Sequence, residues 1–124
     1  ELAANRARAD LFVRIHCNSG SRAGCFTIHP ENTEGWTDDI YEQSLLAAEL
    51  VQDAFASHTG IPDMGLRPRG DISGFNYADV PVILPEMYHM KNVEHDAAAA
   101  TPEFRQTMAE GLEMGILDYL DTLK

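Results

Sequence analysis

The feature that most constrains the fold is an apolar run that ends in polar side chains, in residues 9–18 (ADLFVRIHCN). Four of the five residues at positions 11–15 are apolar, and neither Gly nor Pro interrupts them. This pattern predicts a buried β-strand that delivers an imidazole, His16, at its C-terminal end. A second run, residues 80–85 (VPVILP), would deliver the carboxylate of Glu86 in the same way.

The two runs together indicate where a site would form. If the two strands are parallel in one sheet, both polar groups emerge at the same edge, where open α/β sheets place their ligands. A histidine and a glutamate brought together there indicate metal-assisted or acid–base chemistry.

Charge and length exclude several classes of protein. The 124 residues suffice for one domain with a real core, and no run is long enough to cross a bilayer. The absence of such a run argues against membrane insertion, and the net charge of −11, which would repel phosphate backbones and anionic lipid surfaces, argues against nucleic acid as a partner. The chain begins with Glu1, and residues 1–8 resemble the last turns of a helix. We therefore expect a signal peptide or other upstream region to precede it.

The first half of the chain predicts strands followed by a long helix. A second short strand over residues 25–29 would end at Pro30. A helix is expected from about residue 40 to 58, with Asp39 as its N-cap and apolar residues along one face. Residues 59–74 are rich in Gly, Pro and charge, which is typical of a loop.

The second half predicts one more buried strand and a closing helix. A short extended piece within residues 72–79 would precede the strand at 80–84, and a polar segment would follow at 86–96. The last helix would open with Thr101 as N-cap and Pro102 at its first position, and would run to the end of the chain. Strands alternating with amphipathic helices predict an α/β domain with a mainly parallel sheet flanked by helices.

Cys17 and Cys25 are the only cysteines, and their spacing leaves three interpretations open. They could form a short-loop disulfide in an oxidising compartment, which spacing alone does not establish, or remain two free, half-buried thiols, which is the favoured interpretation. A zinc pair is the least favoured, because no second pair of ligands stands at finger-like spacing.

Two stretches are similar to one family. Residues 9–18 resemble the "ADLFVSIHAN" strand of the zinc-dependent N-acetylmuramoyl-L-alanine amidases, and residues 80–96 (VPVILPEMYHMKNVEHD) resemble their "PavLvEtGFisN…E" segment. Residues 69–70 stand where the family often has Arg-Gly, and residues 108–120 (MAEGLEMGILDYL) resemble its closing helix. The sequence departs from the pattern at four positions of these motifs: Arg14, Cys17, Pro85 and Tyr88.

The resemblance implies a phosphorylase/hydrolase-like amidase fold that lacks its N-terminal part, so that residues 1–124 form a single incomplete catalytic domain. In the family, two His and one Glu hold zinc and a further Glu activates water. By the match, His16 would be one zinc ligand and Glu86 the general base, whereas the other ligands are expected upstream of Glu1. Asn18, Arg69 and Asn92 would be substrate-binding candidates.

The activity implied is that of a secreted hydrolase in the cell wall or periplasm, acting on peptidoglycan. It would cleave the amide between N-acetylmuramic acid and L-alanine with zinc-activated water. The alternative is a non-catalytic cell-wall-binding module that kept the fold and lost the metal ligands. A metal-free hydrolase has less support, because there is no G-x-S-x-G motif.

Other residues carry weaker expectations. His29, His89 and His95 are expected to be surface or loop histidines, and Cys17 to point to the opposite face from His16. Trp36 and Tyr41 could stack on sugar rings, or Trp36 could cover the following helix. Missing upstream strands would leave apolar surface near residues 2, 11 and 13 (Leu2, Leu11 and Val13), which favours self-association.

Overall fold

The computed structural model describes all 124 residues, and its elements surround one five-stranded sheet. The strands are β1 (Phe12–Val13), β2 (His16–Asn18), β3 (Cys25–Pro30), β4 (Asp63–Arg69) and β5 (Val82–His89). The helices are α1 (Leu2–Ala7), α2 (Tyr41–Thr59), α3 (Ser73–Asn76), α4 (Val93–Ala99) and α5 (Pro102–Asp121). Neither long helix carries the apolar stretch that a membrane crossing requires.

The sheet is mixed, with the order β1-β5-β3-β4 and with β2 also paired to β5. Three of its four strand pairings are parallel, as the sequence predicts. The fourth, between β3 and β5, is antiparallel, so that β3 and β4 run against the other three strands. The predicted α/β class with flanking helices is confirmed.

Each face of the sheet has its own core. On one face, α2 and α5 pack against the sheet and bury Val51, Ile83 and Leu112 among their neighbours. On the other face, Phe26, Val82 and Leu84 pack with residues of the short segments around α3. Because side chains alternate along a strand, Val82, Leu84 and Glu86 share this second face.

The predicted strand at residues 11–15 is neither continuous nor fully buried. Residues 11–14 are half-buried and Ile15 is 57% exposed, because β1 lies at an outer edge of the sheet. Leu2 is exposed and Leu11 and Val13 are half-buried, and the self-association expected from them stays a prediction.

Pro85 explains why the strand is divided into β1 and β2. Phe12 is in register with Val82 and His16 with Glu86, which is the same offset of 70 residues on both sides of the break. Arg14 donates to the carbonyl of Ile83, and the next bond of this parallel ladder would be donated by the backbone N–H of residue 85. Proline has no N–H, so the ladder is interrupted there and resumes at His16.

Two segments differ from the sequence prediction. The expected loop at residues 59–74 contains strand β4, and the expected extended piece at 72–79 contains the helical turn α3. Strand β4 lies at the outer edge, where Pro68 costs no central hydrogen bond. Gly65 has a φ of 79° next to a register shift between β3 and β4, a conformation that glycine readily adopts.

The predicted ends of several elements also need correction. Ile40, not Asp39, is the N-cap residue of α2, and no side chain caps that helix. Strand β5 continues through His89 into the segment expected to be polar, and α5 ends at Asp121. The predicted cap of α5 is confirmed, since the hydroxyl of Thr101 accepts a hydrogen bond from the N–H of Phe104.

Helices α2 and α5 approach closely through two glycines of α5. A Cβ atom at Gly115 would lie 2.4 Å from the Cα of Val51, and one at Gly111 would lie 3.2 Å from the Cα of Phe55. Real Cβ atoms do not come as close to backbone as the first of these distances. The helix pair therefore depends on the missing side chain at position 115.

We expect Gly115→Ala to destabilise the chain by about 1–3 kcal/mol, because the added methyl group must push the two helices apart. We expect this net loss even though alanine is more favourable than glycine within a helix by about 1 kcal/mol. Urea unfolding measures the difference, with Glu113→Ala at an exposed position of the same helix as control. A Gly115→Ala variant more stable than the parent would contradict the packing described.

Candidate functional site

Three side chains form a row across the sheet on the face opposite the two long helices. His16 of β2 is in register with Glu86 of β5, and Glu86 is in register with Phe26 of β3. Residues in register on neighbouring strands point to the same face and lie about 5 Å apart. The two runs singled out in the sequence therefore bring the imidazole of His16 and the carboxylate of Glu86 side by side.

Glu86 occupies an unusual position for a carboxylate. Its side chain is only 9% exposed, and its Oε2 atom is buried with no hydrogen-bond partner. Burial raises the pKa of the Glu86 carboxyl above its ordinary value. An unpartnered buried oxygen costs about 1–3 kcal/mol, which a fold retains where the group serves a function.

His16 differs from Glu86 in that it is exposed to solvent. It stands at the start of β2, where the break opposite Pro85 ends and pairing with β5 resumes. An accessible imidazole beside an accessible edge of the sheet suits a metal ligand or a hydrogen-bonding group. No three His, Cys, Asp or Glu side chains of the chain converge in a group that could hold a metal ion.

The apolar end of the row is built around Phe26. The ring of His89 lies 5.8 Å from the Phe26 ring, and its Nδ1 lies 3.0 Å from the carbonyl oxygen of Gly24. The guanidinium carbon of Arg67 lies 3.9 Å from the centroid of the Phe26 ring. Phe26 thus shields Glu86 from solvent on one side and supports a cation on the other.

A second arginine lies on this face near the break in the strand. Arg14 places its guanidinium carbon 6.0 Å from the Phe75 ring and packs directly against Gly74. Its Nη1 atom is buried and has no partner. The residue that departs from the "ADLFVSIHAN" pattern is therefore inserted into the core beside α3.

The structure places the three substrate-binding candidates differently. Asn18 lies in β2, two residues beyond His16 and in register with His89. The side chain of Asn92 accepts a hydrogen bond from the N–H of His95 and caps α4. Arg69 is in register with Pro30, at the opposite end of β3 from Phe26, and its guanidinium forms an exposed ion pair with Asp71. Only Asn18 stands beside the row.

Two of the other histidines are not surface residues, contrary to the sequence prediction. His29 and His89 are buried in β3 and β5, with 4% and 2% of their surface exposed. The Nδ1 of His29 lies 2.9 Å from the carbonyl oxygen of Pro30, and its ring packs near that of Tyr41. His95 lies on the surface helix α4, half-buried.

Both cysteines are free. Strand β5 lies between β2 and β3, so Cys17 and Cys25 are two strand spacings apart, about 10 Å, which exceeds the reach of a disulfide. Burial raises the pKa of the Cys25 thiol to about 11. Burial also raises the pKa of the Cys17 thiol, which lines an apolar pocket beneath α5 with Ile15 and Met87. Neither thiol has the properties of a nucleophile.

Trp36 and Tyr41 do not form one aromatic surface. Trp36 lies edge-on to Tyr77 with ring centroids 5.7 Å apart, whereas Tyr41 packs with the buried His29. The Trp36–Tyr77 pair lines a cleft of about 420 Å³ near the N-terminal end of β5. It is therefore at the other end of the sheet from Glu86.

Sequence reasoning missed Phe26 and Arg67. Phe26 reads as an ordinary core residue of a short strand, and Arg67 lies within a stretch that predicts a loop. The alternation of apolar residues at Met64 and Leu66 was the available signal for a strand, but Gly65 and Pro68 outweighed it.

Comparison with known proteins identifies similar chains. The model of one family, described as N-acetylmuramoyl-L-alanine amidase, matches residues 2–118. An N-acetylmuramoyl-L-alanine amidase of Mycobacterium tuberculosis is 27% identical over 124 residues, which cover 96% of this chain and 52% of that relative. The chain thus spans about half the length of this relative and of a second curated relative.

Solved structures show the same similarity. The N-acetylmuramyl-L-alanine amidase Ami1 of Mycobacterium smegmatis superimposes with a TM-score of 0.86 and 30% identity, covering 98% of this chain and 58% of that one. An N-acetylmuramoyl-L-alanine amidase of Clostridium difficile 630 gives a TM-score of 0.81 with 26% identity, covering 97% and 62%.

Glu86→Gln tests the environment of the carboxylate through stability. Because burial raises the Glu86 pKa, the folded chain holds this proton to a higher pH than the unfolded chain does. The parent should therefore lose stability relative to Glu86→Gln as pH rises from below the ordinary value of 4.5 to neutrality. Urea unfolding of both chains with a metal chelator between pH 4 and 7 measures this. A difference that does not change with pH would contradict the buried, unpartnered carboxylate.

Proposed function

Because the chain belongs to the N-acetylmuramoyl-L-alanine amidase family, we propose that it forms the Glu86-bearing part of the catalytic domain of a peptidoglycan hydrolase. The observation that carries the proposal is the in-register pair of His16 and Glu86 on neighbouring parallel strands. The substrate would be the amide between the lactyl group of N-acetylmuramic acid and the L-alanine of the peptide. The protein would act outside the cytoplasm, at the cell wall or in the periplasm.

Glu86 is the proposed general base. Its carboxylate would take a proton from the attacking water as the water oxygen bonds to the amide carbonyl carbon. When the C–N bond breaks, the same carboxyl group would return the proton to the departing amine nitrogen. Burial beside Phe26 supports this role, because a raised pKa brings a carboxylate closer to the basicity that proton transfer requires.

His16 is the proposed contribution of these residues to a zinc site. Zinc is bound in catalytic sites by three protein ligands, and the residues of this chain do not bring three donors together. The donors present therefore do not fit the ion by themselves. His16 is assigned as one ligand of the three that such a site needs.

The competing proposal is a cell-wall-binding module without catalysis. It would preserve the fold and the Phe26 core but would not need an unpartnered carboxylate oxygen in the middle of the sheet. The burial of Glu86 without a partner favours the hydrolase, since a binding module gains nothing from that cost.

The general-base assignment is tested in the full gene product that contains these residues. We expect Glu86→Gln to lower the rate of amide cleavage in a muropeptide by at least about 100-fold, the scale of general-base catalysis. Zinc content should stay near that of the parent, because Glu86 is not assigned as a ligand. Cleavage is measured by release of the peptide amine and zinc by elemental analysis.

The matched control for this experiment is Glu49→Gln, an exposed glutamate of α2. It carries the same change of charge and should keep the parent rate. Activity of Glu86→Gln within a few-fold of the parent would remove Glu86 from the mechanism. A parent protein that binds muropeptide without cleaving it would favour the binding module.

The isolated 124-residue chain should bind zinc weakly and should not turn over substrate, because one imidazole cannot supply the affinity of three preorganised ligands. Elemental analysis after dialysis and a peptidoglycan-release assay on this chain measure both properties. Stoichiometric zinc with turnover would mean that another histidine or a second copy of the chain completes the site.

A further inference from the structure

Arg67 presents a cation that no residue of the chain neutralises. The three ion pairs of the structure are formed by His58, Arg69 and Lys124 with their carboxylates, and Arg67 is not among them. Most other basic side chains are also outside these ion pairs, and Arg67 differs from them in its position against Phe26, the register partner of Glu86. A guanidinium that is unpaired beside the proposed site is available to a ligand.

The position of this guanidinium is fixed by stacking. Arg67 is in register with Ile28 on β3, and its guanidinium carbon lies 3.9 Å from the centroid of the Phe26 ring. The ring covers one face of the planar group and leaves the N–H donors along its edges open. Those donors form the fork that binds a carboxylate through two parallel hydrogen bonds.

The spacing of the strands sets the distance between the Arg67 guanidinium and the proposed general base, Glu86. Phe26 is the register partner of Glu86, so the guanidinium above its ring lies one to two strand spacings from the Glu86 backbone. That is roughly 5–10 Å. An extended peptide advances at most about 3.5 Å per residue, so one to three residues bridge this span.

We propose that Arg67 binds a carboxylate of the peptide part of the substrate, one to three residues from the amide bond that is cleaved beside Glu86. The proposal rests on the proposed function and extends it, because it names a feature of the substrate that the site selects. A single carboxylate is favoured over a phosphate or a polyanion, since the net charge of −11 repels ligands of high negative charge.

The test uses two substrates with the full gene product that contains these residues. One is a muropeptide with a free carboxylate within three residues of the scissile amide, and the other is the same molecule with that group converted to a carboxamide. The parent should prefer the carboxylate in kcat/KM. Arg67→Gln should lose this preference by about 10- to 100-fold, the range for a hydrogen bond to a charged group, mainly through KM.

Three comparisons separate recognition from a structural role. Arg67→Gln should cleave the carboxamide substrate at nearly the parent rate, because that substrate has no carboxylate to pair with the guanidinium. Arg67→Lys keeps the charge but not the planar fork, and should restore only part of the preference. Arg6→Gln removes a positive charge from the exposed helix α1 and should leave kcat/KM for both substrates unchanged.

Each outcome decides the assignment. Equal losses on both substrates, or an unchanged preference, would overturn the role of Arg67 while leaving the proposed hydrolase intact. If the parent cleaves neither substrate, the proposed function fails, and calorimetric binding of the two muropeptides then decides the role of Arg67. Tighter binding of the carboxylate form that disappears in Arg67→Gln would support it, and equal or absent binding would overturn it.

Discussion

Strand β5 is the constraint on which the rest of the structure depends, because it alone hydrogen-bonds to both halves of the sheet. On one side it pairs with β1 and β2, and on the other with β3, which runs in the opposite direction. Its buried residues Val82, Ile83 and Leu84 contribute to the cores on both faces. A residue near the middle of this strand has neighbours on both sides, and Glu86 is such a residue.

Pro85 couples this strand to the edge that carries His16. A proline within a central strand is costly where its missing N–H faces a neighbour, and here it faces Arg14. The cost is confined to one missing bond of a short parallel ladder. In return, the interruption frees the backbone just before His16, so the imidazole begins a new strand segment at the solvent side while staying in register with Glu86.

Much of the fold follows from sequence where apolar periodicity and caps agree. The strand ending at Pro30, the helix opened by Thr101 and the burial of residues 82–84 have such signals, and the structure confirms them. Strand β4 could not be predicted, because its glycine and proline are tolerated only in a strand at the edge of a sheet. Whether a strand lies at an edge depends on how the whole sheet is assembled, which the local sequence does not show. The exposure of Ile15 has the same origin.

The candidate site likewise contains residues that local sequence predicts and one residue that depends on long-range strand pairing. His16 and Glu86 could be paired from sequence because each follows an apolar run, and parallel pairing then places them together. Arg69 seemed the arginine of interest because Gly70 follows it, yet the register of β4 carries it to the far end of the sheet and brings Arg67 to Phe26. Which arginine reaches the site depends on the extra residue at the β4 bulge, a long-range pairing that local sequence does not encode.

Phe26 connects the proposed chemistry with the proposed recognition. A buried carboxylate needs an apolar neighbour to raise its pKa, but a cation close enough to pair with it would lower that pKa again. The Phe26 ring resolves this conflict, since it shields Glu86 while holding the guanidinium of Arg67 over its own face. Burial raises the pKa of Glu86 above its ordinary value, although Arg67 lies against the neighbouring Phe26 ring. The base and the cation can thus serve one substrate without neutralising each other.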